Sequence, residues 1–303
     1  MRLSYNAALN YKTIATQSIT SPGLLPHRGI AIVFGPPGCG KSWLLLQWGL
    51  EIASGSKFLH KLPTEQTKVL FLDLEVGENT TIDRFKKVAP LYTGANSHFA
   101  IASEPGLKLN TPKGLSWLED CIRNFGDGVI LVDNLRAAIV GDENTSEVID
   151  SLFTNFGQLR QQYNCAFVLV HHPSKPMYYQ GNNTLLVKDR GMYGARGSSD
   201  IPGKVDTMLH MERTTSIGET PAFRAVLKLE KIRTNDSVPA FGKTGLSLCF
   251  SPGHCCFYPL EPKFIKVLDD VEKGSSSSAT QQELVALRDL GYLTAAGTIV
   301  KGA

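Results

Sequence analysis

The sequence predicts an α/β fold in which helices flank a mainly parallel, twisted sheet, with antiparallel strands toward the C-terminus. Short apolar runs alternate with helix-length segments, and turn or polar residues bound each run. The predicted strands of this alternation are Gly29–Phe34, Lys68–Leu74, Gly128–Val132 and Ala166–Val170. The predicted helices are Ser42–Ala53, Gly114–Phe125 and Ser146–Tyr163. This alternation is typical of a doubly wound sheet.

The alternation of predicted strands and helices ends after Val170. Residues Pro173–Ala195 are polar and glycine-rich without a clear period, so we expect a long loop of the kind that is functional or disordered. Further strands, some of them antiparallel, are predicted at Met208–Glu212, Ala222–Ile232 and Leu246–Phe250. We assign residues 1–268 to one domain and 269–279 to a serine-rich linker. Residues 280–303 are expected to form a short helix and hairpin that could belong to a winged-helix module.

Composition sets broad limits on the type of protein. With 303 residues, 42% of them hydrophobic, the chain can bury one large core. Its six cysteines form no CxxC pair, which favours a reduced, cytoplasmic protein, and Cys249, His254, Cys255 and Cys256 match no zinc template. No apolar run approaches the roughly 20 residues of a membrane span, so no membrane association is expected.

The net charge of +3 is unevenly distributed. Residues 173–243 hold eleven Lys and Arg against seven Asp and Glu, a local excess of four. Such an excess fits either a weak surface for an anionic polymer or an ordinary solvated face.

A phosphate-binding motif stands between the first predicted strand and helix. It reads Gly35, Pro36, Pro37, Gly38, Cys39, Gly40, Lys41 and Ser42, the pattern GxxxxGK[ST] of a P-loop. Glycines let backbone N–H groups surround phosphates at a helix N-terminus. Lys41 is expected to reach the β- and γ-phosphates of ATP and Ser42 to bind Mg²⁺, and Trp43 is counted among the nucleotide contacts. Cys39 could make the loop sensitive to thiol oxidation.

Carboxylates end two of the other predicted strands. Asp133 follows an apolar strand in the manner of a Walker B element and is expected to hold Mg²⁺. The next residue is Asn134, which cannot accept a proton, so the base that activates water must lie elsewhere. We predict Glu75, after a strand expected to lie beside the P-loop, with Asp73 as the alternative.

Taken in order, these segments resemble the RecA-like hexameric helicase ATPases, especially the plasmid RepA-type replicative helicases. The resemblance covers roughly residues 20–235 and implies a RecA-like P-loop NTPase core. Besides the P-loop it is carried by four blocks, namely Leu72-Asp73-Leu74-Glu75, Asp133-Asn134-Leu135 with Gly141–Asn144, Val168–Lys175 and Ala195–Ser199. It implies that His172, in the third block, senses the γ-phosphate and signals to DNA-binding loops.

The same resemblance concerns Lys231-Ile232-Arg233, which is similar to the KxR pair that ring motors present to a neighbour's nucleotide. Alternation places both cations on one face of a strand, so Lys231 would contact nucleotide and Arg233 would act in trans as an arginine finger. A surface strand with two solvated cations would give the same pattern, and Arg196 is a competing finger. A finger in trans requires a homo-oligomer, here a hexameric ring.

The predicted loop after the sensor strand would line the pore of such a ring. It combines cations with aromatic rings suited to single-stranded DNA, namely Lys175, Tyr178, Tyr179, Lys188 and Arg190, although ordinary loop composition explains them as well. The leading hypothesis is an ATP-driven DNA translocase. A RecA- or RadA-like strand-exchange ATPase and a KaiC-like regulatory ATPase without nucleic acid are the alternatives.

Overall fold

The computed structural model describes residues 17–173, 195, 200–214, 223–233 and 244–260, with the backbone of 178–181 and 184–187. In chain order the strands are β1 Ser18–Thr20, β2 Leu25–Pro26, β3 Ile30–Phe34, β4 Val69–Asp73, β5 Phe99–Ser103, β6 Val129–Asp133, β7 Ala166–His171, β8 Tyr178–Gly181, β9 Thr184–Val187, β10 Thr207–Arg213, β11 Phe223–Ile232, β12 Leu246–Ser251 and β13 Cys256–Pro259. The α-helices are α1 Lys41–Ser54, α2 Glu78–Val88, α3 Pro112–Phe125, α4 Ser146–Tyr163 and α5 Ile201–Lys204, and two 3₁₀ turns cover Ala89–Leu91 and Thr93–Ala95.

One nine-stranded sheet organises the domain. Its strand order is β13-β12-β11-β10-β3-β7-β6-β4-β5. The six strands from β10 to β5 are parallel, whereas β11, β12 and β13 run antiparallel. The predicted fold class is therefore confirmed, including the antiparallel strands toward the C-terminus.

Two apolar layers cover the faces of this sheet. In β3, Ala31 and Val33 pack with α1, whereas Ile30, Ile32 and Phe34 pack in the cluster that contains α3 and α4. This alternation follows from the two-residue period of a strand. All five residues are buried, which explains why the sequence shows an unbroken apolar run here.

The structure differs from the sequence analysis in three respects. The strand that precedes Glu75 does not lie beside β3, because β7 and β6 intervene. The expected structureless loop 173–195 contains an antiparallel hairpin, β8–β9. The sequence analysis also missed β5 and α2. The linker 269–279 and the segment 280–303 lie outside the described residues.

The helix after the P-loop is tied to the last hairpin by a buried polar network. The Gln47 side chain donates to the Phe257 carbonyl (2.9 Å) and accepts from its N–H (2.7 Å), as a neighbouring strand would. It also donates to Glu51 (2.9 Å), which accepts further hydrogen bonds from Tyr92 and the Leu59 N–H. Every charged or amide group in this interior network therefore has a partner.

No helix among the described residues is both long enough and apolar enough to cross a lipid bilayer.

The buried Glu51 should make stability depend on pH. Burial raises the pKa of Glu51 to about 8 from an ordinary value of 4.5, although three hydrogen bonds oppose the shift. Between these pH values the folded carboxyl keeps its proton and the unfolded one loses it. The stabilisation is thus complete below the lower value and is lost as pH rises to the upper one. We expect the free energy of unfolding to fall by up to about 1.4 kcal/mol per pH unit.

Urea unfolding between about pH 5 and 8 measures this slope, with Glu51→Gln as the control. The substitution should flatten the slope, and equal slopes in the two proteins would contradict the assignment.

Candidate nucleotide site

The P-loop fills the turn between β3 and α1, and close packing requires two of its glycines, Gly35 and Gly40. A Cβ on Gly35 would lie 2.1 Å from the Met211 carbonyl oxygen. Gly40 has φ 95°, and a Cβ there would lie 2.5 Å from the Phe257 ring. The loop therefore packs against β10 and against the hairpin formed by β12 and β13. Backbone N–H groups at the start of a helix, in a glycine-rich loop, suit an anionic phosphate chain.

Lys41 is 6% exposed, and the loop itself binds its ammonium group. Its Nζ donates to the carbonyl oxygens of Gly35 (2.7 Å) and Pro36 (2.8 Å). Burial lowers the pKa of Lys41, while nearby Cys39 and Asp133 oppose the shift. The side chain thus lies inside the loop that the motif predicts to bind phosphates.

Asp133 is buried at the end of β6, close to the hydroxyl of Ser42. Burial raises the pKa of Asp133 to about 6, and a hydrogen bond from Ser42 opposes that shift. Its Oδ1 atom is buried and has no hydrogen-bond partner among the described residues. A buried carboxylate oxygen beside a hydroxyl fits Mg²⁺, which prefers oxygen ligands. These two residues would hold the cation that the sequence analysis predicts.

Asp73 and Glu75 have different roles. Asp73 accepts hydrogen bonds from the N–H groups of Glu75 (3.1 Å) and Val76 (3.0 Å) and from the Ser103 hydroxyl (2.8 Å). Burial alone would raise the pKa of Asp73, but these bonds outweigh it and lower the pKa. Asp73 therefore shapes the turn after β4. Glu75 is exposed, and this leaves it as the better candidate base.

The pairing of β4 with β6 brings Glu75 close to Asp133 and Asn134. Asp73 pairs with Asp133, so β4 and β6 end at the same level of the sheet. The Asn134 side chain donates to Glu75 Oε2 at 2.5 Å. The peptide bond between Asp133 and Asn134 is cis. The predicted base and the predicted magnesium ligand thus lie on one edge, although the strand of Glu75 is not next to the P-loop.

A cleft of about 430 Å³ opens beside Glu75. His172, just past the end of β7, lines this cleft, so the structure brings the predicted sensor and the predicted base together. The other lining residues are Lys108, Asn134, Arg136, Ala137, Ile139, Val140 and Gly141. Two fixed cations and one imidazole line the cleft with Glu75, and one of the cations, Arg136, forms an ion pair with Glu143 (3.8 Å).

Lys231 and Arg233 lie at the opposite edge of the sheet from their own P-loop. The Arg233 N–H donates to the Asp206 carbonyl oxygen, and the Asp206 N–H donates to the Ile30 carbonyl oxygen. These residues are therefore level with the start of β3. Five residues of strand, about 16 Å, separate that level from Gly35. Neither cation can serve the phosphates bound by its own chain.

Both cations are held by one turn of the same chain. Lys231 donates to the carbonyl oxygens of Pro202 and Val205. Arg233 donates to Gly203 (2.7 Å) and forms an ion pair with Asp206 (3.2 Å), while half of its side chain remains exposed. The interpretation as solvated cations therefore fails for Lys231 but not for Arg233. Lys231 supports the turn, and Arg233 is the one presented at the surface.

The remaining predicted contacts lie mostly outside the described residues. This is so for Arg196, Lys175, Lys188 and Arg190, whereas Tyr178 and Tyr179 belong to β8, of which only the backbone is described.

Comparison with known proteins identifies the family. Residues 7–177 match the sequence profile of a family described as an AAA domain. The chain belongs to this AAA domain family. A solved structure titled a KaiC-like protein, from the hyperthermophilic archaeon Pyrococcus horikoshii OT3, has a similar fold at 12% identity and a TM-score of 0.52. The match covers 82% of this chain and 99% of that one. No curated protein matches the sequence.

A cation near Trp43 and Asp133, Arg84, was missed by the sequence analysis. Arg84 on α2 lies 5.7 Å from the centre of the Trp43 ring, directly after the P-loop. Its charge also lowers the pKa of Asp133, against the larger effect of burial. Trp43, which the sequence analysis predicts to contact nucleotide, therefore packs against this arginine. No motif marks Arg84, because α2 buries only Thr81 and Val88 and so has no apolar stripe.

Cys39 should resist oxidation, contrary to the hypothesis drawn from its position in the motif. It is fully buried, and burial raises the pKa of its thiol despite the nearby Lys41. Because thiolates are the reactive form, brief alkylation of native protein should label the partly exposed Cys121 and Cys255 first. Binding of a fluorescent ATP analogue should be unchanged at that stage.

Mass spectrometry of the labelled peptides gives the order of reaction, and a Cys39→Ser variant controls for indirect effects on binding. Rapid labelling of Cys39 in the native protein would contradict the prediction.

Proposed function

We propose that this AAA domain hydrolyses ATP with Mg²⁺ to drive a DNA translocase or helicase of the RepA-type replicative class, with sites at the subunit interfaces of a ring. The observation that carries the ATPase part is the unpartnered buried oxygen of Asp133 beside Ser42 and the P-loop. Such an arrangement is costly unless a cation compensates it.

Each residue has a distinct part in hydrolysis. Backbone N–H groups of residues 35–42 bind the phosphates, and Lys41 leaves its loop carbonyls to pair with the β- and γ-oxygens. Ser42 and Asp133 would hold Mg²⁺, which neutralises charge on the phosphates. Glu75 accepts a proton from the attacking water. His172 lines the cleft beside Glu75 and is suited to report the γ-phosphate to the loops.

The cleft supports the assignment to DNA. Lys108, Arg136 and His172 line it next to Glu75, and these are side chains of the types that bind a phosphate backbone. The similar fold of the KaiC-like protein favours the second candidate, a regulatory ATPase that needs no nucleic acid. A RecA- or RadA-like recombinase, which would form filaments, is the third.

Steady-state ATP hydrolysis with and without single-stranded DNA tests this function. We expect DNA to stimulate the wild-type rate and added salt to weaken the effect, because phosphate contacts are screened. Lys41→Ala should abolish hydrolysis under both conditions. Glu75→Gln should lower the rate by roughly a hundredfold or more, as expected for loss of a general base, while an ATP analogue still binds.

Glu104→Gln is the matched control, because Glu104 is another exposed carboxylate at the same edge of the sheet. It should keep the wild-type rate. Hydrolysis that needs Lys41 but ignores DNA would favour the regulatory ATPase, and an active Glu75→Gln variant would show that the base lies elsewhere.

Mixing two inactive variants tests whether Arg233 acts in trans. Arg233→Ala should lose roughly a thousandfold in rate. Mixed with Lys41→Ala, it should regain activity, because each Lys41→Ala subunit still offers its arginine to a neighbour's intact P-loop. Random assortment would restore about a quarter of the sites.

Arg160→Ala is the control for this experiment, since Arg160 also contacts Asp206 (3.6 Å). It should remain active alone. If the mixture is as inactive as its components, Arg233 does not act on a neighbouring subunit.

A further inference from the structure

The carboxylate of Asp206 lies between the start of the P-loop strand and the arginine that is presented at the surface. Its Oδ2 accepts from the Ile30 N–H at 2.9 Å, and its Oδ1 pairs with Arg233 Nη1 at 3.2 Å. The backbone makes the same connection, because Asp206 donates to the Ile30 carbonyl oxygen (2.8 Å) and accepts from the Arg233 N–H (2.9 Å). The Asp206 side chain is mostly buried, so these contacts are shielded from water.

The guanidinium of Arg233 is held by its own chain through two of its nitrogen atoms. Nη1 contacts Asp206, and Nη2 donates to the Gly203 carbonyl oxygen at 2.7 Å. A guanidinium has five N–H donors, and these contacts need only two of them. Since 52% of the side chain is exposed, the other donors can meet an oxyanion that approaches from outside the chain.

Positive charge is concentrated around this carboxylate. Arg160 Nη1 lies 3.6 Å from Asp206 Oδ2, and Lys231 donates to the Val205 carbonyl oxygen (2.7 Å) in the same turn as Asp206. Burial lowers the pKa of Lys231, the charge of Arg233 lowers it further, and Asp206 opposes both. Asp206 thus reduces the repulsion between the two cations of the strand, and the group as a whole stays positive enough to attract a polyphosphate.

We propose that Asp206 is a positioning residue for Arg233, and that it fixes the guanidinium in one orientation before the triphosphate of a neighbouring subunit binds it. An arginine that is free in solvent samples many rotamers, and fixing it in advance removes that entropy cost from the transition state. The inference rests on the proposed function, because it takes Arg233 to act in trans.

Steady-state ATP hydrolysis by Asp206→Asn tests this role. The asparagine oxygen can still accept from the Ile30 N–H, but the amide has no charge with which to hold Arg233. We expect kcat to fall roughly tenfold, the effect of losing one charge-assisted hydrogen bond. The KM for ATP and the urea midpoint should be unchanged, because the contact with β3 is kept. Added to Arg233→Ala, the substitution should have no further effect on the rate.

Mixed oligomers show whether Asp206 acts on a neighbouring subunit or on its own P-loop. Mixed equally with Lys41→Ala, Asp206→Asn should rise from about a tenth to about a quarter of the wild-type rate per subunit. In that mixture a quarter of the sites combine an intact P-loop with an intact pair of Asp206 and Arg233 from the neighbour. If Asp206 served only its own β3 and P-loop, the rate would instead fall to about a twentieth, because half of the subunits would be inactive.

Asp150→Asn is the matched control, because Asp150 pairs with Lys204 of the same turn at 2.7 Å. It should keep the wild-type rate. A wild-type rate in Asp206→Asn, or a mixture at about a twentieth, would overturn the inference and leave the proposed function standing. Wild-type activity of Arg233→Ala would instead remove the trans arginine from the proposed function, and this inference with it.

Discussion

The negative charge of Asp133 must be compensated inside the protein, and much of the site is arranged around it. A carboxylate taken out of water costs several kcal/mol unless charges or hydrogen bonds replace its hydration. Ser42 supplies one hydrogen bond, while Lys41 and Arg84 supply positive charge nearby. This compensation is incomplete, because one oxygen remains without a hydrogen-bond partner among the described residues. A divalent cation held with a triphosphate would complete it.

The position of that charge depends on elements distant in sequence. The P-loop rests against Phe223 and Phe257, whose rings lie where a Cβ on Gly40 would be. Gln47 then fixes the backbone of Phe257 from the helix that follows the loop. The antiparallel hairpin of β12 and β13 therefore supports the P-loop at the start of α1, through Phe257, and also extends the sheet.

Local patterns allowed most of the fold and part of the site to be predicted. The P-loop and Asp133 are contiguous with buried strands, so a short window contains both the motif and its context. By contrast, β5 is a partly exposed edge strand and α2 buries few residues, so neither shows a clear period. The bond between Asn134 and Glu75 joins residues 59 apart in sequence, and only the register of β4 with β6 brings them together.

A structure of the chain with Mg²⁺ and a non-hydrolysable ATP analogue tests the central claim most directly. The account predicts that Mg²⁺ lies between the Ser42 hydroxyl and the Asp133 carboxylate, with the phosphates in the loop of residues 35–42. It also predicts that Glu75 lies within reach of a water molecule at the γ-phosphate. A cation bound away from Asp133, or phosphates outside the loop, would contradict it.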